Sequence, residues 1–180
     1  MRLKINRNSF FKALSRSQSV VEKYTSVSIL SHVLINAKKN VLILSSTDLE
    51  MSLEEVIFAD IIEEGSVALP AQILYDLVRK FADGSQLELV WDQGDSQALI
   101  SSGHGLFYLS CLPSKSFPEI FRRDLPYTFI ISARVLYYSL FRCKVAMSSE
   151  ETRYYLNGIY LHIINEKELI DSLLSNIETY

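Results

Sequence analysis

Cysteine is scarce: this 180-residue chain has only Cys111 and Cys143. They form no CxxC pair and have no neighbouring histidine, which argues against a zinc site or a disulfide framework, and both are expected to be small buried thiols. Long apolar runs are missing as well. No stretch reaches 18 residues, so no membrane-spanning helix is expected, and the opening MRLKIN reads as a strand with alternating charge rather than a signal peptide. The expected location is the cytoplasm, with no membrane partner. Positive charge is not in excess either. Eighteen Lys and Arg against 21 Asp and Glu give a net −3, which excludes a global basic field but leaves room for a local basic face.

Catalytic signatures are also absent. The chain has no G-x-x-x-x-G-K-[ST] and no G-x-G-x-x-G. The stretch Ser102, Gly103, His104, Gly105 lacks the spacing of a nucleophile elbow and reads as a tight hairpin. His32, His104 and His162 lie far apart in sequence and are not expected to share a metal or a triad. The acidic group Asp48, Glu50, Glu54 and Glu55 could be taken for acid/base or metal ligands, but its spacing reads better as the solvated face of a strand. No enzyme activity, metal or cofactor is expected. A small hydrolase remains only as a distant third reading.

What is present is a chain with 48% hydrophobic residues, enough to bury a substantial core. Leu3 and Ile5 alternate with polar residues as in a half-buried strand, and Asn6 offers an N-cap to a helix with Phe10, Phe11 and Leu14, followed by Val20 and Val21, as its apolar stripe. Residues 33–37 and 41–44 read as a hairpin turning on Lys38, Lys39 and Asn40, with strand continuing over 47–60. Gly65 and then Pro70, at the first helical position, introduce a second helix through Ile73, Leu74, Leu77, Val78 and Phe81. Three short strands follow, at 87–91, 98–101 and 106–112, giving a βαβββαβββ unit of the α+β class.

Pro113 and Pro118 flank the one credible linker, after which the plan restarts. LSHVLIN at 30–36 and LNGIYLH at 156–162 share an apolar rhythm at an offset of 126 residues. A strand is expected at 127–131, a helix capped by Ser132 through Val135, Leu136, Leu140 and Cys143, and a further strand over 154–164. The echo is lost in 166–180. The expected division is therefore a complete domain at 1–120, a partial second copy at 121–165 and a divergent tail at 166–180, whose Leu169, Ile170, Leu173 and Leu174 could supply a surrogate helix. Two places suggest a ligand. Arg153, Tyr154 and Tyr155 sit at a loop-to-strand junction, where they either touch a phosphate and stack on a sugar or base, or simply pack a strand edge. Lys23 and Tyr24 occupy the equivalent loop of the first copy.

The same residues carry a resemblance to a known family. The stretches SILS at 28–31, STDLEM at 46–51, LPA at 69–71, Leu112 with Pro113, Phe117 with Pro118, and RYYLNG at 153–158 together resemble the N-terminal part of the bacterial sliding clamp, the beta subunit of DNA polymerase III. The resemblance covers residues 1 to about 165 and implies the DNA-clamp fold. In that family three similar domains per chain close head to tail into a two-chain ring around duplex DNA. Helices line the hole, sheets form the outside, and the clamp has no catalysis of its own. By position it implies DNA-binding roles for Lys23, Tyr24, Arg153, Tyr154 and Tyr155, and a clamp dimer edge at Phe107 and Leu109. It also makes Leu156 one wall of the client-peptide groove. Gln72 and Ile73 stand where the family often has basic residues. The implied partners are duplex DNA, bound weakly and without sequence preference, DNA polymerase III and clamp-loader subunits. On this reading the chain is a truncated clamp of DNA replication that has lost ring closure and client binding. The alternative is an adaptor or regulatory fragment that binds a full-length clamp.

Overall fold

The computed structural model describes residues 1–21, 26–120, 128–148, 150, 152 and 156–161. The chain divides into two compact units, Met1–Arg122 and Arg123–Tyr180. In the first, β1 (Arg2–Asn6) buries Leu3 and Ile5 and exposes Arg2, Lys4 and Asn6, the period of two that its sequence shows. Asn6 then caps α1 (Arg7–Ser17), its side chain accepting the Asn8 N–H at 2.9 Å. Phe10, Ala13 and Leu14 form the buried stripe of α1, and Val20 and Val21 are buried beyond its end.

Next come β2 (His32–Lys38) and β3 (Val41–Thr47), a hairpin in which Lys38 pairs with Val41. The two-residue loop places Lys39 at φ 55°, as tight hairpin turns require. β4 (Ser52–Phe58), β5 (Asp60–Glu63) and β6 (Gly65–Pro70) lead into α2 (Ala71–Lys80), after which β7 (Gln86–Val90), β8 (Gln97–Ser102), β9 (Gly105–Ser110) and the short β10 (Leu112–Pro113) complete the unit. The strands form two antiparallel five-stranded sheets, β5-β1-β7-β8-β9 and β10-β6-β2-β3-β4. One core joins both sheets and both helices through side chains such as Leu3, Phe10, Ile35, Leu44, Leu74, Leu89 and Ile100. This is the α+β architecture expected from the sequence.

Several local expectations are corrected. The stretch 47–60 is not one strand. Asp48 Oδ1 accepts from the backbone N–H groups of Glu50 (3.0 Å) and Met51 (2.6 Å), and the Thr47 hydroxyl donates to Met51 O at 2.8 Å, so the side chains fold a turn with Leu49 at φ 77°. Asp48 and Glu50 therefore belong to a turn, while Glu54 and Glu55 lie on β4. Gly65 opens a strand rather than a helix. A Cβ there would lie 2.6 Å from that of Met1, so only glycine lets β6 start against the chain's first residue. Pro70 is the N-cap of α2, and Ala71 is its first helical residue. The expected linker is not free, because Phe117 is buried with Ile29, Leu30 and Ala68 in a second small cluster. Nor are both cysteines buried: Cys111 is half-buried, its thiol 3.3 Å from Asp95 O, and Cys143 is exposed.

In the second unit α3 (Ala133–Lys144) begins 126 residues after the start of α1, where the repeat places it. Its neighbours do not follow the plan: residues 128–131 and 156–161 form no strand. No residue of α3 is buried. The expectations for Tyr127 and for the tail 166–180 lie outside the described residues.

Candidate nucleic-acid interface

α1 and α2 pack side by side. Their apolar stripes face the core, so a helix spacing of three to four residues turns the remaining positions outward. The outward set includes Asn8, Lys12 and Arg16 on α1 and Gln72, Arg79 and Lys80 on α2. The two helices hold five cations, Arg7, Lys12, Arg16, Arg79 and Lys80, against the single carboxylate Asp76. With Arg7 buried, the four exposed cations against Asp76 leave a net +3 on this helix pair in a chain of net −3, a local basic face that the overall charge conceals.

The cations differ in availability. Arg16 pairs with Glu55 at 2.6 Å and Arg79 with Asp76 at 3.3 Å, both with guanidinium side chains more than half exposed. Lys12 and Lys80 enter no ion pair among the described residues. Arg7 is different in kind, being almost fully buried. Its guanidinium donates to the Val78 carbonyl (3.0 Å), the Arg79 carbonyl (2.8 Å) and Asp83 Oδ1 (2.6 Å), which satisfies the last turn of α2 from the first turn of α1. Gln72 joins the helices on the outer side, bonding to Gln18 and donating to Asp76 Oδ2 at 2.8 Å. Ile73 beside it is more than half exposed.

A second feature lies at the end of one sheet. β9 is the last strand of its sheet, pairing with β8 and with no other described strand on its far side. Such an edge presents backbone N–H and C=O groups to an incoming strand. Phe107 is 41% exposed and meets Phe81 edge-on at 5.6 Å. A Cβ on Gly105 would come within 2.9 Å of the Phe107 ring, so glycine there lets the ring fold back. Leu109 is turned toward the core at 9% exposure, while Leu106 and Tyr108 face outward. Alternation along the strand puts Phe107 and Leu109 on one side and Leu106 and Tyr108 on the other.

Of the residues singled out from sequence, Lys23, Tyr24, Arg153, Tyr154 and Tyr155 lie outside the described residues. Leu156 is half-exposed in the second unit. Sequence reasoning missed Lys12, Arg16, Arg79 and Lys80. The signal was available: once helix periods are assigned to 7–17 and 71–80, their polar faces hold almost no acid. Away from this face His32 is half-buried. Its Nδ1 lies 2.7 Å from Ser28 O, which only accepts, so Nδ1 carries the proton. Burial pushes its pKa down from 6.5, opposed by that hydrogen bond. Burial pushes the Cys111 thiol up. No helix among the described residues is long and apolar enough to cross a membrane.

Comparison with known proteins bears on this geometry. The family model for the DNA polymerase III beta subunit, N-terminal domain, matches residues 1–121. A beta sliding clamp of Caulobacter vibrioides (strain NA1000 / CB15N) is 38% identical over 166 residues, which are 92% of this chain and 45% of that one. The crystal structure of a sliding clamp from Bartonella birtlesii, bound to griselimycin, is 42% identical with a TM-score of 0.87, covering 93% of this chain and 44% of the other. The DNA polymerase III subunit beta of Pseudomonas aeruginosa is similar at 30% identity and a TM-score of 0.81, with 88% and 43% covered. The chain thus spans less than half the length of the relatives it matches.

Proposed function

The chain belongs to the DNA polymerase III beta subunit family, and on that premise we propose that it supplies a sliding-clamp segment whose α1/α2 face tracks duplex DNA. Its role in replication is non-catalytic and cytoplasmic: it holds a polymerase on the template. The observation that carries this reading is that two packed helices expose four cations, Lys12, Arg16, Arg79 and Lys80, against the single carboxylate Asp76 in a chain of net −3. Diffuse cations on a rigid helical surface meet phosphates without reading bases. A surface of this kind lets the protein slide.

Lys23, Tyr24, Arg153, Tyr154 and Tyr155 are proposed as further DNA contacts, supported by their places in the two repeat-equivalent loops. The β9 edge at Phe107 and Leu109 is proposed as the joint to a complementary strand of a second protomer, and Leu156 as one wall of a groove for client peptides from DNA polymerase III or clamp-loader subunits. The division into a first clamp domain at 1–120 and a partial second copy at 121–165 belongs to the same proposal. Within these 180 residues only one side of the joint and one wall of the groove are supplied, so ring closure and client binding are not functions of this stretch by itself.

The test is anisotropy of a fluorescent duplex titrated with the 180-residue chain at several salt concentrations. Binding should be weak, equal for unrelated sequences, and should fall linearly in log–log form with salt. Lys12→Gln and Lys80→Gln should each lower the slope by roughly 0.9 if each residue neutralises one phosphate. Salt-independent binding, or slopes unmoved by both substitutions, would overturn the interface.

A further inference from the structure

Four side chains form a continuous stack across the α1/α2 seam. The Arg7 guanidinium carbon lies 4.6 Å from the Phe11 ring centroid. Phe11 stacks on Tyr75 with centroids 5.1 Å apart and planes 19° from parallel. The Arg79 guanidinium carbon is 5.8 Å from the Tyr75 centroid. The inner cation is buried and tied down, and it also holds the main chain of the outer one, donating to the Arg79 carbonyl at 2.8 Å. The outer cation keeps 57% of its side chain in solvent.

We propose that the Phe11–Tyr75 stack holds the Arg79 guanidinium ready for a DNA phosphate, making Tyr75 a positioning residue of the helix-pair face. The inference rests on the DNA-interface reading above and deepens it. A free arginine side chain loses much rotamer freedom on binding, and one already laid on an aromatic ring loses less. Backbone and head group of Arg79 are thus fixed from two sides, by Arg7 and by Tyr75. The existing partner, Asp76, competes weakly. Its pair with Arg79 is an exposed one at 3.3 Å, and its other oxygen accepts from Gln72. Neither Lys12 nor Lys80 has a ring under its charge among the described residues.

The experiment uses the full chain with Tyr75→Leu, Tyr75→Phe, Arg79→Gln and the Tyr75→Leu/Arg79→Gln pair in the same duplex titration. Tyr75→Leu should weaken binding about two- to five-fold, Tyr75→Phe should restore it, and the pair should bind no worse than Arg79→Gln alone. Arg79→Gln should also lower the salt slope by roughly 0.9. In parallel, the Arg79 Nε proton should be shifted upfield by the ring current in the unsubstituted chain, and the shift should vanish in Tyr75→Leu. A Tyr75→Leu loss that persists in the Arg79→Gln background would mark Tyr75 as mere packing and overturn the inference while leaving the interface standing. Absence of salt-dependent binding by the unsubstituted chain would overturn the interface and the inference together. If Tyr75→Leu does not fold, the ring-current shift decides, and an Arg79 Nε proton at its random-coil position refutes the stack.

Discussion

Single side chains settle several features that composition leaves open. His32 ends the helical turn Ser28–Ser31 by donating from Nδ1 to Ser28 O, and burial disfavours its charged form. The folded state therefore holds a neutral ring where the unfolded chain still takes up a proton near pH 6.5. Its contribution to stability is fully present above that value and is lost as pH falls from there through the lower folded pKa. We expect the urea midpoint of the unsubstituted chain to fall more steeply than that of His32→Gln as pH drops below 6.5. Parallel pH profiles would show that His32 titrates alike in both states. At the same scale, Leu109 shows how a residue on a recognised edge can belong to the core. Its position on the strand was legible, but which side it faces was set by register against Ala98.

At the scale of elements, the contact that fixes the basic face is made by a buried arginine. Arg7 satisfies two carbonyls at the end of α2, where a helix leaves its last acceptors without partners. Arg7→Met keeps much of the volume and removes every side-chain donor. The orphaned carbonyls should cost about 2–3 kcal/mol, read as a lowered urea midpoint, with the amides of the last turn of α2 exchanging faster than those of α1. Unchanged protection in that turn would show the tie to be dispensable. β1, α1 and the β2–β3 hairpin were readable because alternation, an Asn cap and a two-residue loop all agree there. β5 and β6 were not. The turn before β4 is folded by Thr47 and Asp48 side chains, and local pattern alone cannot separate a continuing strand from a reversal made by hydroxyl and carboxylate hydrogen bonds.

On the scale of the molecule, the two units differ in what they bury. The first closes a core with two helices and two sheets, whereas α3 buries no residue and leaves Tyr137, Tyr138 and Phe141 exposed. A 12-residue helix without tertiary burial is marginal in water. Hydrogen exchange should find the slowest amides in β2, β3 and β6, and α3 exchanging faster by several orders of magnitude. Protection in α3 equal to that of β3 would show that the second unit is as well anchored as the first.

The amino-acid sequence by itself determined the α+β class, the faces of β1, α1 and the β2–β3 hairpin and the 126-residue repeat that puts α3 in place, because each is written in local periodicity and in the chemistry of caps and turns. It also carried the motifs of the clamp family. Only the tertiary structure decided that the exposed cations Lys12, Arg16, Arg79 and Lys80 stand on two packed helices, that Arg7 serves α2 rather than a ligand, and that Phe11 and Tyr75 link two arginines. The physical reason is distance along the chain. Charges some 70 residues apart reinforce one another only after two helices pack, and that packing is fixed by the core beneath them.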